Sequence, residues 1–359
     1  MLQDLPTRRR TAAAELAPRK LDALIVASPP NIRYLSGFTG SNGLVLLWPG
    51  GAILFTDPRY AIQAARQADC PVRVARGPLC LALMKTAARR RFRRLGFEED
   101  RLDFKAYRDF DAALPLGASL TPASGLIETL RMVKSAAEIN LIRRSVELNS
   151  EAFSRALANL RPGMAESTLA AEIDYQMGLL GAGKPAFDTI VASGPRSAQP
   201  HAQPAPNPIR RNRLLLIDMG ASREGYASDM TRMAFLGRPG PKVRRLYGAV
   251  LEAQLAAINA VRPGVAAGSV DRAARQVLRA SGLERAFVHS TGHGLGLEIH
   301  EAPRLAARVP TPLQAGMVVT VEPGVYFEGF GGIRIEDTVV VTSSGCQVLT
   351  PTSKELLLL

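Results

Sequence analysis

The chain has 359 residues, 47% of them hydrophobic and 21% charged, with a formal net charge of +13. That length exceeds the size at which a single core stops growing, so two domains are expected, and the composition speaks against a disordered or fibrous protein. No apolar run approaches the roughly 18 residues of a membrane span.

The three cysteines, Cys70, Cys80 and Cys346, form no C-x-x-C pair. They speak against a disulfide framework and a zinc knuckle, and they fit the cytoplasm. The N-terminal stretch M-L-Q-D-L-P-T-R-R-R-T-A-A-A-E-L is basic but has no apolar core after its arginines, unlike a secretory signal. The positive charge is nearly all arginine in an alanine-rich chain, which reads as a compositional habit. Its densest point, R-R-R-F-R-R at residues 89–94, ends an amphipathic helix marked by Leu81, Leu83, Met84 and Ala87. A solvated basic face accounts for it, so no nucleic-acid partner and no membrane partner are expected.

In chain order, D-A-L-I-V-A, G-L-V-L-L-W and A-I-L-F-T read as strands, and P-R-Y-A-I-Q-A-A-R-Q-A as a helix opened by Pro58. Alternation of this kind predicts a small α/β domain over residues 1–125, closed by the break T-P-A-S-G at 121–125. Residues 126–359 form the second domain. It begins with a capping box, Ser135 and Glu138, and a long amphipathic helix to about Leu160. The helix stops at R-P-G, 161–163, and the same punctuation recurs at 262–264, 101 residues on, after a helix from Val243 to Val261. Beyond each stop Ala165 matches Ala266, Thr168 matches Ser269 and Leu169 matches Val270. Each copy leads through a helix to a β-rich stretch with two acids, Asp218 and Asp229 in the first and Glu322 and Glu336 in the second. The pattern predicts an α+β domain built from a duplicated helix–helix–hairpin unit, with both hairpins contributing to one site.

Chemistry concentrates there. The four histidines all fall after residue 200: His201, then His289, His293 and His300 within F-V-H-S-T-G-H-G-L-G-L-E-I-H-E-A-P. Each of the four acids ends or interrupts an apolar run, where burial is costly unless a metal or partner compensates it. Four carboxylates and one imidazole suit two hard divalent ions, and oxygen-rich ligation favours manganese, magnesium or calcium, with cobalt or iron able to substitute and zinc possible. Two such ions can activate a water and polarise a carbonyl, so metal-assisted hydrolysis is the reaction class expected. His201, His289 and His300 are then candidates for stabilising a developing oxyanion or supplying a proton.

Through L-I-D-M-G, S-D-M-T-R, H-S-T-G-H-G-L-G-L-E-I-H-E, V-E-P-G-V-Y and I-R-I-E-D-T the chain resembles the pita-bread metallopeptidases, in their aminopeptidase P and prolidase branch. The segments N-I-R-Y-L-S-G-F-T-G-S and F-T-D-P-R-Y resemble that branch's N-terminal, creatinase-like domain. The resemblance implies that Asp218 binds one ion, that His293 and Glu322 bind the other, and that Asp229 and Glu336 bridge both. It makes Glu322 the general base. His201 and His300 would stabilise charge at the scissile bond, His289 and Tyr326 would line a proline pocket, and Arg334 would brace the site. It also implies a homodimer whose N-terminal domains serve dimerisation and wall the partner's cleft. The implied substrate is a peptide with proline second.

Two activities fit that resemblance. Aminopeptidase P releases the first residue of longer Xaa-Pro peptides, and prolidase cleaves Xaa-Pro dipeptides. A prolidase should hold the proline carboxylate, for which Arg304 in E-I-H-E-A-P-R is placed. The chain is short and has no large insertion to cap the cleft, which favours aminopeptidase P. Loss of catalysis to a binding-only role, known among relatives that lack ligands, is the remote alternative.

Overall fold

The computed structural model describes residues 4–359. The chain divides into two compact units, Met1–Arg131 and Met132–Leu359. The boundary lies a short helix, Leu126–Met132, beyond the break read at 121–125.

The first unit is α/β. Its six strands lie in the order Val72–Val74, Gly51–Thr56, Gly43–Trp48, Ala23–Val26, Arg94–Phe97, Ser119–Pro122. Ile25, Leu46, Phe55 and Leu95 pack with Leu83 and Met84 of the helix Leu79–Arg89 and with Phe110. Leu81 lies beside that apolar stripe and is 45% exposed, so it is not part of the buried face. Arg90 leaves the helix end to cover the Trp48 ring at 4.0 Å. The segment after Pro58 is not one helix. Asp57 accepts the backbone N–H of Arg59 and tightens Pro58–Tyr60 into a 3₁₀ turn, and the α-helix runs from Ala61 to Gln67.

The second unit is α+β, of pseudo-duplicated pita-bread form. The capping box forms as read: Glu138 N–H donates to Ser135 Oγ, and Ser135 N–H donates to Glu138 Oε2 at 2.9 Å. The long helix covers Ala136–Ala158, and its counterpart covers Pro241–Ala260, two residues earlier than Val243 because Pro241 supplies the preset N1 position. After each R-P-G comes a 14-residue helix, Glu166–Leu179 and Ala267–Ala280. The punctuation repeats in detail. Gly163 and Gly264 take φ of +91° and +83°, a left-handed turn that glycine adopts without strain. Gly163 N–H donates to Ile209 O and Gly264 N–H to Leu313 O, both at 2.8 Å.

Each half then builds an antiparallel sheet. In the first, Leu214–Met219 lies between Ile190–Ser193 and Met230–Phe235. In the second, Val318–Val321 lies between Gly292–Gly294 and Asp337–Val341. The run L-L-L-I is continuously apolar because both faces of its sheet are covered. Leu214 and Leu216 pack with Val250 and Ala253, while Leu215 and Ile217 pack with Leu148 and Ala152. Among the described residues no helix is long and apolar enough to cross a membrane, and Cys70, Cys80 and Cys346 are free.

Ser135→Ala removes half of the capping box. We expect a loss of about 1 kcal/mol in the second unit's stability, read as a shift in denaturant midpoint at unchanged slope.

Candidate metal centre

Backbone pairing delivers the acids. Asp218 is the penultimate residue of Leu214–Met219, and Asp229 immediately precedes Met230–Phe235. Their pairing sets Thr231 opposite Asp218. In the other sheet Glu322 follows Val318–Val321 and Glu336 precedes Asp337–Val341, so the two hairpins present their acids at equivalent points. His293 comes from the short strand Gly292–Gly294. That strand needs glycine, because a Cβ on Gly292 would stand 2.0 Å from Thr320 O. Asp271, fully buried, fixes the approach to this strand by accepting from Thr291 N–H and Oγ1 at 3.2 and 2.8 Å.

The side chains converge. One carboxylate oxygen from each of Asp218, Asp229 and Glu336 lies within 4.8 Å of the others. His293 Nε2 is 3.3 Å from Glu322 Oε1 and 3.6 Å from Asp229 Oδ2. Asp218, Asp229 and Glu336 are 9%, 5% and 1% exposed. Burial, followed by mutual repulsion, pushes Asp229 and Glu336 well above the carboxylate range, and burial pushes Glu322 up to about 7.

Three features make this set fit a cation. Asp218 Oδ1 and Glu336 Oε1 are buried without any hydrogen-bond donor. The His293 ring is oriented by its other nitrogen, since Nδ1–H donates to Gly294 O at 3.0 Å. That tautomer turns the bare lone pair of Nε2 toward carboxylate oxygens, and burial keeps the ring neutral by lowering its pKa. Lone pairs facing lone pairs are repulsive, and a positive ion between them removes the repulsion. Four carboxylates and one imidazole form a hard, oxygen-rich donor set.

Neighbouring groups hold these donors in place. Arg334 Nη2 donates to Asp218 Oδ2 at 2.5 Å, and Arg334 Nε donates to Thr231 Oγ1 at 3.0 Å. Thr231 Oγ1 in turn donates to Glu336 Oε2 at 2.7 Å, and Thr320 Oγ1 to Glu322 Oε1 at 3.1 Å. Sequence reasoning missed both threonines and Asp271. The signal for Thr231 was its place two residues after Asp229, on the same face of the strand.

Beside the acids stands a fixed row. Arg334 Nη1 donates to Tyr326 Oη at 2.7 Å, and Tyr326 lies 2.8 Å from His289 Nε2. His289 Nδ1 is 2.8 Å from Ser290 O, so it carries the ring proton and Nε2 accepts from Tyr326. Burial and then Arg334 lower the His289 pKa to about 4, and burial raises Tyr326 to about 12, so both are neutral near pH 7. The His300 ring stacks edge-on against His293 with centroids 4.3 Å apart, and its pKa is lowered by burial and by His293. His201 is exposed, and its loop is tied to Arg334 through Pro200 O. Arg304 is exposed and stands opposite His293 in the pairing of Glu301–Leu305. The structure therefore brings together Asp218, Asp229, His293, Glu322 and Glu336, and sets the remaining predicted residues around them.

Known proteins share this layout. The model of metallopeptidase family M24 matches residues 140–343, and that of the creatinase/prolidase N-terminal domain matches residues 8–133. An Xaa-Pro dipeptidase of Pyrococcus furiosus is 36% identical over 94% of this chain and 95% of its own length. The solved Xaa-Pro dipeptidase from Bacillus anthracis superposes with a TM-score of 0.96 at 37% identity, covering 99% of this chain and 100% of that one. The X-Pro aminopeptidase from Thermotoga maritima gives a TM-score of 0.90 at 36% identity, covering 95% and 98%.

The row at His289 generates a pH signature. An imidazole with pKa about 4 in the fold and 6.5 when unfolded stabilises the fold above pH 6.5, and loses that contribution as the pH falls through 4. In His289→Gln this contribution is absent. The stability gap between wild type and variant should narrow as the pH falls from 6.5 to 4, measured by urea unfolding; a constant gap would show that the ring is not held neutral.

Proposed function

The chain belongs to metallopeptidase family M24, and on that premise we propose that it is an Xaa-Pro dipeptidase working with two divalent ions, manganese first among them. The observation that carries the metal chemistry is the buried cluster of Asp218, Asp229 and Glu336, with the bare Nε2 of His293 set between Asp229 and Glu322. Asp218 would hold one ion, His293 and Glu322 the other, and Asp229 and Glu336 both. Bound there, the pair would supply Lewis acidity, lowering the pKa of a water and polarising the scissile carbonyl.

The chain's own residues supply the rest. Thr320 holds Glu322 Oε1, and the other oxygen is the one to take the proton from the attacking water and pass it to the leaving proline nitrogen. His300 and His201 would donate to the oxygen that gains charge. The neutral pair Tyr326 and His289, with Phe287 at 5.0 Å from the imidazole, offers a rigid apolar wall to the proline ring. Such a wall matters because the bond before proline is a tertiary amide with no N–H for a peptidase to grip. Its cis and trans forms exchange slowly, so a shaped pocket selects one of them.

The preference for dipeptides rests on two supports. Arg304 is exposed one strand from His293 and has no ion-pair partner among the described residues, and its charge is felt at both His293 and His300. A dipeptide brings a carboxylate next to its proline, and a free guanidinium is the group to clamp it. The second support is the relatives. The lack of large insertions favoured aminopeptidase P in the sequence, but a named Xaa-Pro dipeptidase aligns over 95% of its own length, so that shortness does not separate the activities. Aminopeptidase P remains the second reading, supported by the likeness to the X-Pro aminopeptidase of Thermotoga maritima. A homodimer with manganese in each protomer completes the proposal, and analytical sedimentation checks the assembly.

Three measurements test it. Manganese-loaded protein should cleave an Xaa-Pro dipeptide and leave an Xaa-Pro-Xaa tripeptide intact; the reverse pattern establishes the aminopeptidase. Arg304→Ala should raise KM for the dipeptide by roughly tenfold or more, the loss of one charge-assisted bond. Glu322→Gln should lower kcat by roughly 10²–10⁴ with the fold unchanged by circular dichroism. Full turnover in that variant at full metal content would remove Glu322 as the base.

A further inference from the structure

A second buried arginine adjoins the centre from behind. Arg232, in the strand Met230–Phe235, is 2% exposed. Its five N–H groups meet five acceptors. Nε donates to Ser353 O at 2.8 Å, Nη1 to Thr231 O at 3.0 Å and to Glu336 O, and Nη2 to Asp337 Oδ1 and Thr352 O, each at 2.7 Å. Asp337, fully buried, spends its other oxygen on Gln254 Nε2 at 2.9 Å and on Lys354 Nζ. Lys354 O accepts from Tyr247 Oη, and Leu357–Leu358 adds a parallel strand beside Ala234 and Phe235.

These contacts converge on one residue. Glu336 is gripped by its N–H to Thr231 O at 3.3 Å, by its carboxylate from Thr231 Oγ1, and by its carbonyl from Arg232. Successive side chains alternate along a strand, so Glu336 points to the carboxylate centre while Asp337 points away from it into the clamp. Burying an arginine and an aspartate, with a half-buried lysine set against them, is no efficient route to stability, since apolar residues of the same volume serve as well or better. What such a cluster does provide is direction. A planar guanidinium that reads four backbone carbonyls fixes the chain segments that own them.

We propose that Arg232, Asp337 and Lys354 are positioning residues for the metal centre. The segment Thr352–Lys354, acting through Arg232, sets the backbone of Glu336 and so aims its carboxylate. The inference rests on the reading of Glu336 as a ligand shared by two ions. Residues that hold a metal ligand typically change affinity by roughly 10–100-fold when altered.

The test measures manganese binding by calorimetry, with metal per chain counted by mass spectrometry, on wild type, Arg232→Lys, Lys354→Met and Lys354→Arg. Thermal unfolding of the stripped proteins reports whether each variant folds. Wild type should bind two ions per chain. Lys354→Met should bind at least one of them roughly tenfold more weakly while its stripped form remains folded, and Lys354→Arg should restore the affinity. Arg232→Lys should weaken it further if that variant folds. Folded Lys354→Met with wild-type affinity overturns the inference while leaving the metallopeptidase reading intact. Wild type that takes up no manganese overturns both.

Discussion

Three buried carboxylates, Asp218, Asp229 and Glu336, brought within 4.8 Å of one another, with Glu322 joined to them through His293, set the terms for the rest of the second unit. Like charges in a low-dielectric setting repel strongly, so the fold must restrain them from moving apart. Among the described residues only Arg334 meets one of them directly with a positive charge, at Asp218. Glu336 and Glu322 are held by neutral donors, Thr231 and Thr320, and the strands beside the acids are fixed by pairing. Neutral donors orient a carboxylate without cancelling its charge. The result is a site that is fixed in shape and short of cations, which is the electrostatic condition for taking up divalent metal.

The duplication explains how one chain builds such a place. Each half carries its acids where an apolar strand ends or begins, at the point where hairpin backbones run out of partners. Two halves facing each other double the charge without requiring any loop to fold over the site. Helices on the outside, Ala136–Ala158 and Pro241–Ala260, bury the far faces and make the strands rigid enough to hold repelling groups.

Much of this was legible in the sequence because the signals were local. The capping box at Ser135, the paired R-P-G stops and the acids at the margins of apolar runs each announce themselves within a few residues. Less legible were groups whose role is set by a distant partner. Thr231 looks like any strand threonine until Glu336 and Arg334 arrive from 105 and 103 positions away. Arg232 was lost in an arginine-rich background because its meaning comes from carbonyls at residues 336, 352 and 353. Leu81 was misread for the opposite reason, as an apolar residue at the side of a stripe that its helix does not bury. Chain length was the weakest guide, since peptidases named for different substrates share it.

The duplication is also imperfect, and the imperfection has chemical weight. Counting back 101 residues from His293 reaches Ala192, in the strand that flanks Leu214–Met219 as Gly292–Gly294 flanks Val318–Val321. Ala192 is wholly buried and offers no donor atom. One half therefore presents a nitrogen and the other only oxygens. On the two-ion reading the pair would be chemically unequal: the nitrogen-bearing position suits borderline metals and the all-oxygen position hard ones. Filling would then be stepwise, with the two positions taking up metal at different concentrations.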